Sequence, residues 1–178
     1  ISATAAPKAY VGFAYDEKAP GGLAVGSIKG DGTLVLKLYY DRESYEVSYS
    51  YTGDVPGNPP ALPASQQVVY GAPVTVASAP TMTGYDFSGW SEAGSFDMPA
   101  SNVVVTGSWT AKSDVSYTVH YCLDGTATKL ADDKRVDGRT FAQAYEEQAP
   151  EIAGYTVKGA PVQSVVLDAY GKEATFYY

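Results

Sequence analysis

Cysteine and histidine are scarce in this sequence. There is one cysteine, Cys122, so no disulfide can close within the chain. Such a chain relies on packing, which fits a secreted protein without cross-links and does not exclude a cytosolic one. There is one histidine, His120. A zinc site needs three or four ligands, and one His with one Cys does not supply them. No apolar run approaches the roughly 20 residues that cross a bilayer as a helix. Basic residues are outnumbered, 12 Lys and Arg against 20 Asp and Glu, for a formal net charge of -8. That argues against nucleic acid, which needs a basic face, and against an anionic membrane surface, which needs a polybasic patch. No Gly-x-x-x-x-Gly-Lys loop and no calcium-loop spacing occur, so no cofactor and no metal are expected. The opening Ile1-Ser2-Ala3 lacks the charged start and apolar core of a signal peptide. The closing Phe176-Tyr177-Tyr178 sits inside a strand pattern, and both ends are read as cut from a longer polypeptide.

What the chain does have is tyrosine, 16 residues against 5 Phe, together with 18 Gly and 11 Pro. Tyrosine suits a half-buried pleated surface, with the ring packed and the hydroxyl wet. The composition predicts a mostly β, turn-rich protein.

Internal repetition is the strongest signal. Ala79-Pro80-Thr81-Met82-Thr83-Gly84-Tyr85 returns as Ala149-Pro150-Glu151-Ile152-Ala153-Gly154-Tyr155, and Ala6-Pro7 followed by Gly12-Phe13 is a third copy with one extra residue. Tyr45-Glu46-Val47-Ser48-Tyr49 returns as Tyr117-Thr118-Val119-His120-Tyr121, and Leu38-Tyr39-Tyr40 as Phe176-Tyr177-Tyr178. Three elements recurring in one order with a period of about 70 residues mark tandem modules. They divide the chain into the later half of a module over 1–43, a complete one over 44–111 and another over 114–178.

Within each module an opening strand is predicted from period-two alternation. Tyr45, Val47, Tyr49 and Tyr51 share one face, as do Tyr117, Val119, Tyr121 and Leu123. A closing strand is predicted over Leu34 to Tyr40, over Val103 to Trp109 and over Ala174 to Tyr178. Opening and closing strands should pair in the middle of a small sheet, giving both complete modules one topology. Pro56, Pro59, Pro60 and Pro63 demand an extended loop or an edge, because proline cannot donate to a central ladder. Residues 140–147 read either as a short helix with Phe141 and Tyr145 on one face or as an irregular crossover. The tyrosines of the two Gly-Tyr pairs are expected to pack on the core of their own modules.

Candidate chemistry reduces to packing. His120 and Cys122 share a strand face, but a nucleophilic pair needs an orienting third group and a cleft. Asp132-Asp133 and Glu146-Glu147 read as solvated faces, because glycosidase carboxylates must flank a cleft at set separation. Gly30-Asp31-Gly32 is a hairpin turn. Tyr85, Phe87, Trp90, Phe96 and Trp109 read as core in preference to a sugar-stacking platform. No catalytic, cofactor or metal residue is assigned, and an enzyme is not expected.

Residues 114–178 resemble the mucin-binding-protein (MucBP) repeat of Gram-positive surface proteins, through Tyr117 to Tyr121, Asp124-Gly125, Ala149-Pro150 to Gly154-Tyr155 and Thr175 to Tyr178. Residues 1–43 are similar to the end of another copy. Residues 44–111 resemble an internalin-type B-repeat, through Gly84-Tyr85-Asp86-Phe87-Ser88-Gly89-Trp90, Phe96-Asp97-Met98-Pro99 and Gly107-Ser108-Trp109. The resemblance implies α+β, β-grasp-like (ubiquitin-like) modules in an elongated array and a cell-wall-anchored parent at the bacterial surface. It implies an adhesin touching host mucin, glycan or glycoprotein, or a passive stalk spacing a distal binding domain from the cell. The half-module should expose the row Leu34, Leu36, Leu38 and Tyr40, and either dock on 44–111 or, as the preferred reading, self-associate by pairing with another copy; the alternative is a different compact hairpin domain, complete as it stands.

Overall fold

The computed structural model describes residues 1–178, and every regular element in it is a strand. In chain order these are β1 (Ser2–Thr4), β2 (Phe13–Asp16), β3 (Val25–Ser27), β4 (Tyr39–Arg42), β5 (Ser44–Gly53), β6 (Gln66–Val69), β7 (Pro73–Thr75) and β8 (Tyr85–Trp90). They continue as β9 (Ser95–Asp97), β10 (Val103–Ala111), β11 (Val115–Cys122), β12 (Lys134–Arg139), β13 (Ala144–Gln148), β14 (Val162–Val166) and β15 (Lys172–Tyr177). The sheets are small, with two to four strands each.

The alternating opening segments do form β5 and β11. Val47 and Tyr49 in one, and Val115, Tyr117, Val119 and Tyr121 in the other, are buried. β11 lies between β12, antiparallel, and β15, parallel, with Tyr117 opposite Lys172 and Tyr121 opposite Phe176. The order β12-β11-β15 thus sets opening and closing strands side by side. In 44–111 the order is β6-β5-β10-β8, with the opening and closing strands again adjacent and here also central. The two inner strands of each segment pair separately, β7 with β9 and β13 with β14. β8 has a reduced counterpart in 114–178, a single bridge from Lys158 to Tyr177 of β15. The two complete modules thus share adjacent opening and closing strands and a separately paired inner hairpin, while the sheet of 44–111 has four strands and that of 114–178 three.

Two compact units emerge from the packing. One comprises Ile1–Ser50, Ala61–Ser78 and Trp90–Gly107; the other comprises Tyr51–Pro60, Ala79–Gly89 and Ser108–Tyr178. The first unit has a core of Val47, Tyr49, Val74, Met98 and Val105, with Trp90 and Phe96 packed against it. The core of the second contains Val115, Tyr117, Val119, Phe141, Val165, Leu167 and Phe176, and Tyr85 packs against it.

Two local expectations need correction, and the helical part of the α+β expectation falls with the first of them. Residues 140–147 form neither a helix nor an irregular crossover but a tight turn leading into β13. The turn closes with the Gln143 N–H donating to the Thr140 carbonyl. Ala142 has φ 61°, the left-handed region, which ends any helix at that point. The closing strand of 1–43 is shorter than Leu34 to Tyr40. Only Tyr39–Arg42 pairs, with β2, and Lys37 makes an isolated bridge to Leu23. Leu34 and Leu36 instead close over Gly26 of β3, which has no side chain to hold them off. Their row is half-buried, with Thr33, Val35, Lys37 and Tyr39 exposed, so the predicted alternation of faces survives without the ladder. The Pro56 to Pro63 segment contains no strand, as its prolines require.

Candidate functional site

His120 lies on β11 with its Nδ1 2.9 Å from Asp133 and its Nε2 3.7 Å from Glu173. Asp133 is shared with Lys129 at 2.7 Å. The hydrogen bond from Lys129, then that from His120, holds the Asp133 carboxyl below the ordinary carboxylate range. Cys122 is buried two residues along the strand. His120 is thus occupied by surface carboxylates, and no group of three or more His, Cys, Asp or Glu is placed to hold a metal ion.

Glu147 departs from its reading as a solvated residue. It is 6% exposed, alone among the charged and polar side chains in being buried. Its two carboxylate oxygens accept hydrogen bonds from the Tyr117 hydroxyl and the Lys134 ammonium, both at 2.6 Å. Burial acts to raise its pKa, but the hydrogen bonds from Lys134 and Tyr117 outweigh it and leave the carboxyl below its ordinary value. Burial, aided by the bond to this carboxylate, pushes the Tyr117 phenol up to about 12. Strand alternation explains the placement. Glu147 and Tyr145 project from β13 on one face, and Tyr117 projects from β11 beneath them, with Tyr117 and Tyr145 stacked at 6.3 Å. A carboxylate with both oxygens committed is a structural tie.

The aromatic side chains form core groups. Trp109 is 1% exposed and packs against Phe87 at 4.7 Å and Tyr51 at 5.7 Å. Trp90 packs edge-on against Tyr49 at 4.9 Å, and Phe96 joins the core of the first unit. Gly30-Asp31-Gly32 is a turn, with Asp31 accepting from Thr33.

What the structure adds is an arrangement built twice, where β4 runs into β5 and where β10 runs into β11. At the first place the Glu43 N–H donates to the Gly12 carbonyl at 2.9 Å, and the Glu43 carbonyl accepts from the Tyr70 N–H at 2.8 Å. At the second the Lys112 N–H donates to the Gly84 carbonyl at 2.9 Å, and the Lys112 carbonyl accepts from the Phe141 N–H at 2.8 Å. A ring then covers each glycine: a Cβ on Gly12 would run into the Tyr70 ring, and one on Gly84 into the Phe141 ring. The residue after each glycine meets that ring edge-on, Phe13 with Tyr70 at 5.7 Å and 79°, Tyr85 with Phe141 at 5.6 Å and 73°. The residue after each ring is left-handed, Gly71 at φ 70° and Ala142 at φ 61°. Its N–H is anchored in turn, Gly71 to the Met98 carbonyl and Ala142 to the Leu167 carbonyl.

These junctions correct the reading of the Gly-Tyr motif. Tyr85 does not serve only its own repeat; it packs against the core cluster of 114–178. Tyr155, at the same place in the last repeat, is 46% exposed. Gly-Tyr was visible in the sequence, but its receiving rings were not, because Val69-Tyr70-Gly71-Ala72 and Thr140-Phe141-Ala142-Gln143 share only an aromatic residue.

A repeat this regular invites comparison with known repeat families. Residues 45–114 match the Listeria-Bacteroides repeat domain. That family match falls where the sequence resembles an internalin-type B-repeat. The Listeria-Bacteroides repeat region contains Gly84, Tyr85 and Lys112 of the second junction and Tyr70 of the first. Among solved structures, the chain is similar to domains 3–4 of the Streptococcal High Identity Repeats in Tandem (SHIRT) from a cell surface protein. That likeness has 15% identity, covers 75% of this chain and 95% of that one, and has a TM-score of 0.33. It is similar to the type 2 repeat of the mucus binding protein MUB from Lactobacillus reuteri, at 20% identity, 75% and 98% coverage and a TM-score of 0.28. It is also similar to Mub-RV, at 13% identity, 76% and 97% coverage and a TM-score of 0.27.

Proposed function

We propose that this chain is the extracellular repeat region of a Gram-positive cell-surface adhesin that contacts host mucin or glycoprotein. Its modules are the later half of a MucBP-like repeat over 1–43, a repeat over 44–111 and a MucBP-like repeat over 114–178. The parent protein is attached to the cell wall. Each complete module is read as a β-grasp variant, with first and last strands side by side and a loop where a helix would cross. The observation that carries this reading is the junction built twice from equivalent residues. Tandem repeats joined by one recurring contact serve to extend and present a surface, and ionisable groups are spent on ion pairs, Lys112 with Asp86 at the second junction and His120 and Lys129 with Asp133 in the last repeat, and on the Glu147 tie. For the contact itself the reading points to Tyr39 and Tyr177, which occupy one repeat position and are 42% and 41% exposed. Exposed tyrosine is well suited to carbohydrate and glycoprotein surfaces, because its ring packs and its hydroxyl bonds.

A second reading, a passive spacer, is favoured by the backbone clamps on Glu43 and Lys112, which limit bending between modules. Binding of the 178-residue chain to immobilised mucin, with and without Tyr39→Ala and Tyr177→Ala, separates the two. Adhesion requires saturable binding that the double variant weakens several-fold. An absence of binding to mucin and to a panel of host glycans leaves the spacer.

A further inference from the structure

Gly154 repeats the upstream half of the junction. Its φ is 83°, against 78° at Gly12 and 81° at Gly84. The turn that presents it is also the same. The Tyr155 N–H donates to the Ile152 carbonyl at 3.0 Å, as the Tyr85 N–H does to Met82 at 3.3 Å and the Phe13 N–H to Tyr10 at 3.1 Å. Yet space beside Gly154 is open, where a ring covers Gly12 and Gly84. The Gly154 carbonyl, the acceptor in both other copies, receives no backbone hydrogen bond. Tyr155 stands without the edge-on ring that Phe13 and Tyr85 each meet.

We propose that Gly154 and Tyr155 form a vacant docking site for one further module of this same kind. The occupant is defined by the two filled examples. It brings a residue whose N–H donates to the Gly154 carbonyl and whose own carbonyl receives the N–H of an aromatic residue. That aromatic ring lies across Gly154 and meets Tyr155 edge-on. Glycine is required because any side chain there would occupy the ring's place, and because φ near 80° strains every other residue. The spacing is also fixed. Glu43 follows Tyr40 by the interval at which Lys112 follows Trp109, and Tyr178 holds the position of Tyr40 and Trp109. Tyr40 and Tyr178 each send the hydroxyl to the Ala-Pro segment of their own repeat, Tyr40 accepting from the Lys8 N–H at 2.9 Å and Tyr178 donating to the Pro150 carbonyl at 2.8 Å.

The test is a longer chain in which a copy of residues 110–178 directly follows Tyr178, so that the copied lysine stands at the interval Lys112 keeps from Trp109. Amide exchange followed by NMR reports the junction. The copied lysine amide should be protected as Lys112 itself is. Either Gly154→Ala or replacement of the copied Phe141 by Leu should lower that protection about tenfold through more frequent local opening. Amides of the β11–β15 ladder and of its copy must keep their protection, which shows that both modules stay folded. Exchange of the copied lysine amide at the rate of an unstructured linker overturns the proposal. So does protection that neither substitution alters, since the amide is then held by something other than this contact.

Discussion

Glycine at positive φ has different consequences at equivalent positions of this repeat. Gly84→Ala meets both backbone strain and the Phe141 ring, whereas Gly154→Ala meets strain alone because space beside it is open. The first should cost about 3 kcal/mol, combining overpacking with a left-handed alanine, and the second about 1 kcal/mol. Urea unfolding of the two variants checks the difference; equal losses would mean that the ring yields freely. Ala142 offers the reverse case. It holds φ 61° with a Cβ, where Gly71 fills the matching position of the first junction. Ala142→Gly should raise stability by about 1 kcal/mol by removing left-handed strain. A lower urea midpoint for that variant would show that the strain is already relieved by neighbouring geometry.

Strand-level electrostatics centre on β11, β12 and β13, which supply Tyr117, Lys134 and Glu147. Glu147 has a folded pKa below its ordinary value of 4.5, so its contribution is fully present above that value and is lost as pH falls through the folded pKa. Tyr117 has a folded pKa raised to about 12 from 10.0, so its contribution is complete below 10.0 and disappears as pH rises towards 12. Thermal melts between pH 3 and pH 12 should therefore show losses at both ends, and Glu147→Gln should flatten the acid limb. An acid limb identical in that variant would assign the loss to other carboxylates. Much of this architecture could be read from the sequence: β5 and β11 from alternation, the proline loop from Pro56 to Pro63, and the pairing of first and last strands from the repeat. Glu147 could not, because an acidic pair looks solvated until the face of β13 is known. The turn at Phe141 was hidden too, since Phe141 and Tyr145 at helical spacing mimic an amphipathic turn. Only the left-handed Ala142, drawn in by its bond to Leu167, rules that out. Leu34 to Tyr40 shows the converse. Its alternation was correct for faces, but a strand also needs a neighbour, and β2 offers only four paired residues.

For the molecule as a whole, residues 1–43 dock where the sequence suggested one outcome, with Gly12 and Phe13 on Tyr70 and the Arg42 guanidinium donating to the Tyr70 carbonyl at 3.3 Å. The expected self-association rests on the row Leu34 to Tyr40, which is half-buried; it is kept as a proposal through β4, which pairs with β2 on one side and has no strand on the other. Light scattering should then show mass rising with concentration for 1–178 and staying constant for 44–178; constant monomer mass in both would end that idea. The parallel pairing of β11 and β15 carries a mechanical consequence. Force entering at Val115 and leaving at Tyr178 acts at opposite ends of two parallel strands. It loads the bonds from Tyr117–Lys172 to Cys122–Tyr177 together in shear, whereas a hairpin pulled from its open end gives way one pair at a time. The last repeat is thus oriented to bear tension along the chain, and a single-molecule pulling trace should show it releasing in one abrupt step.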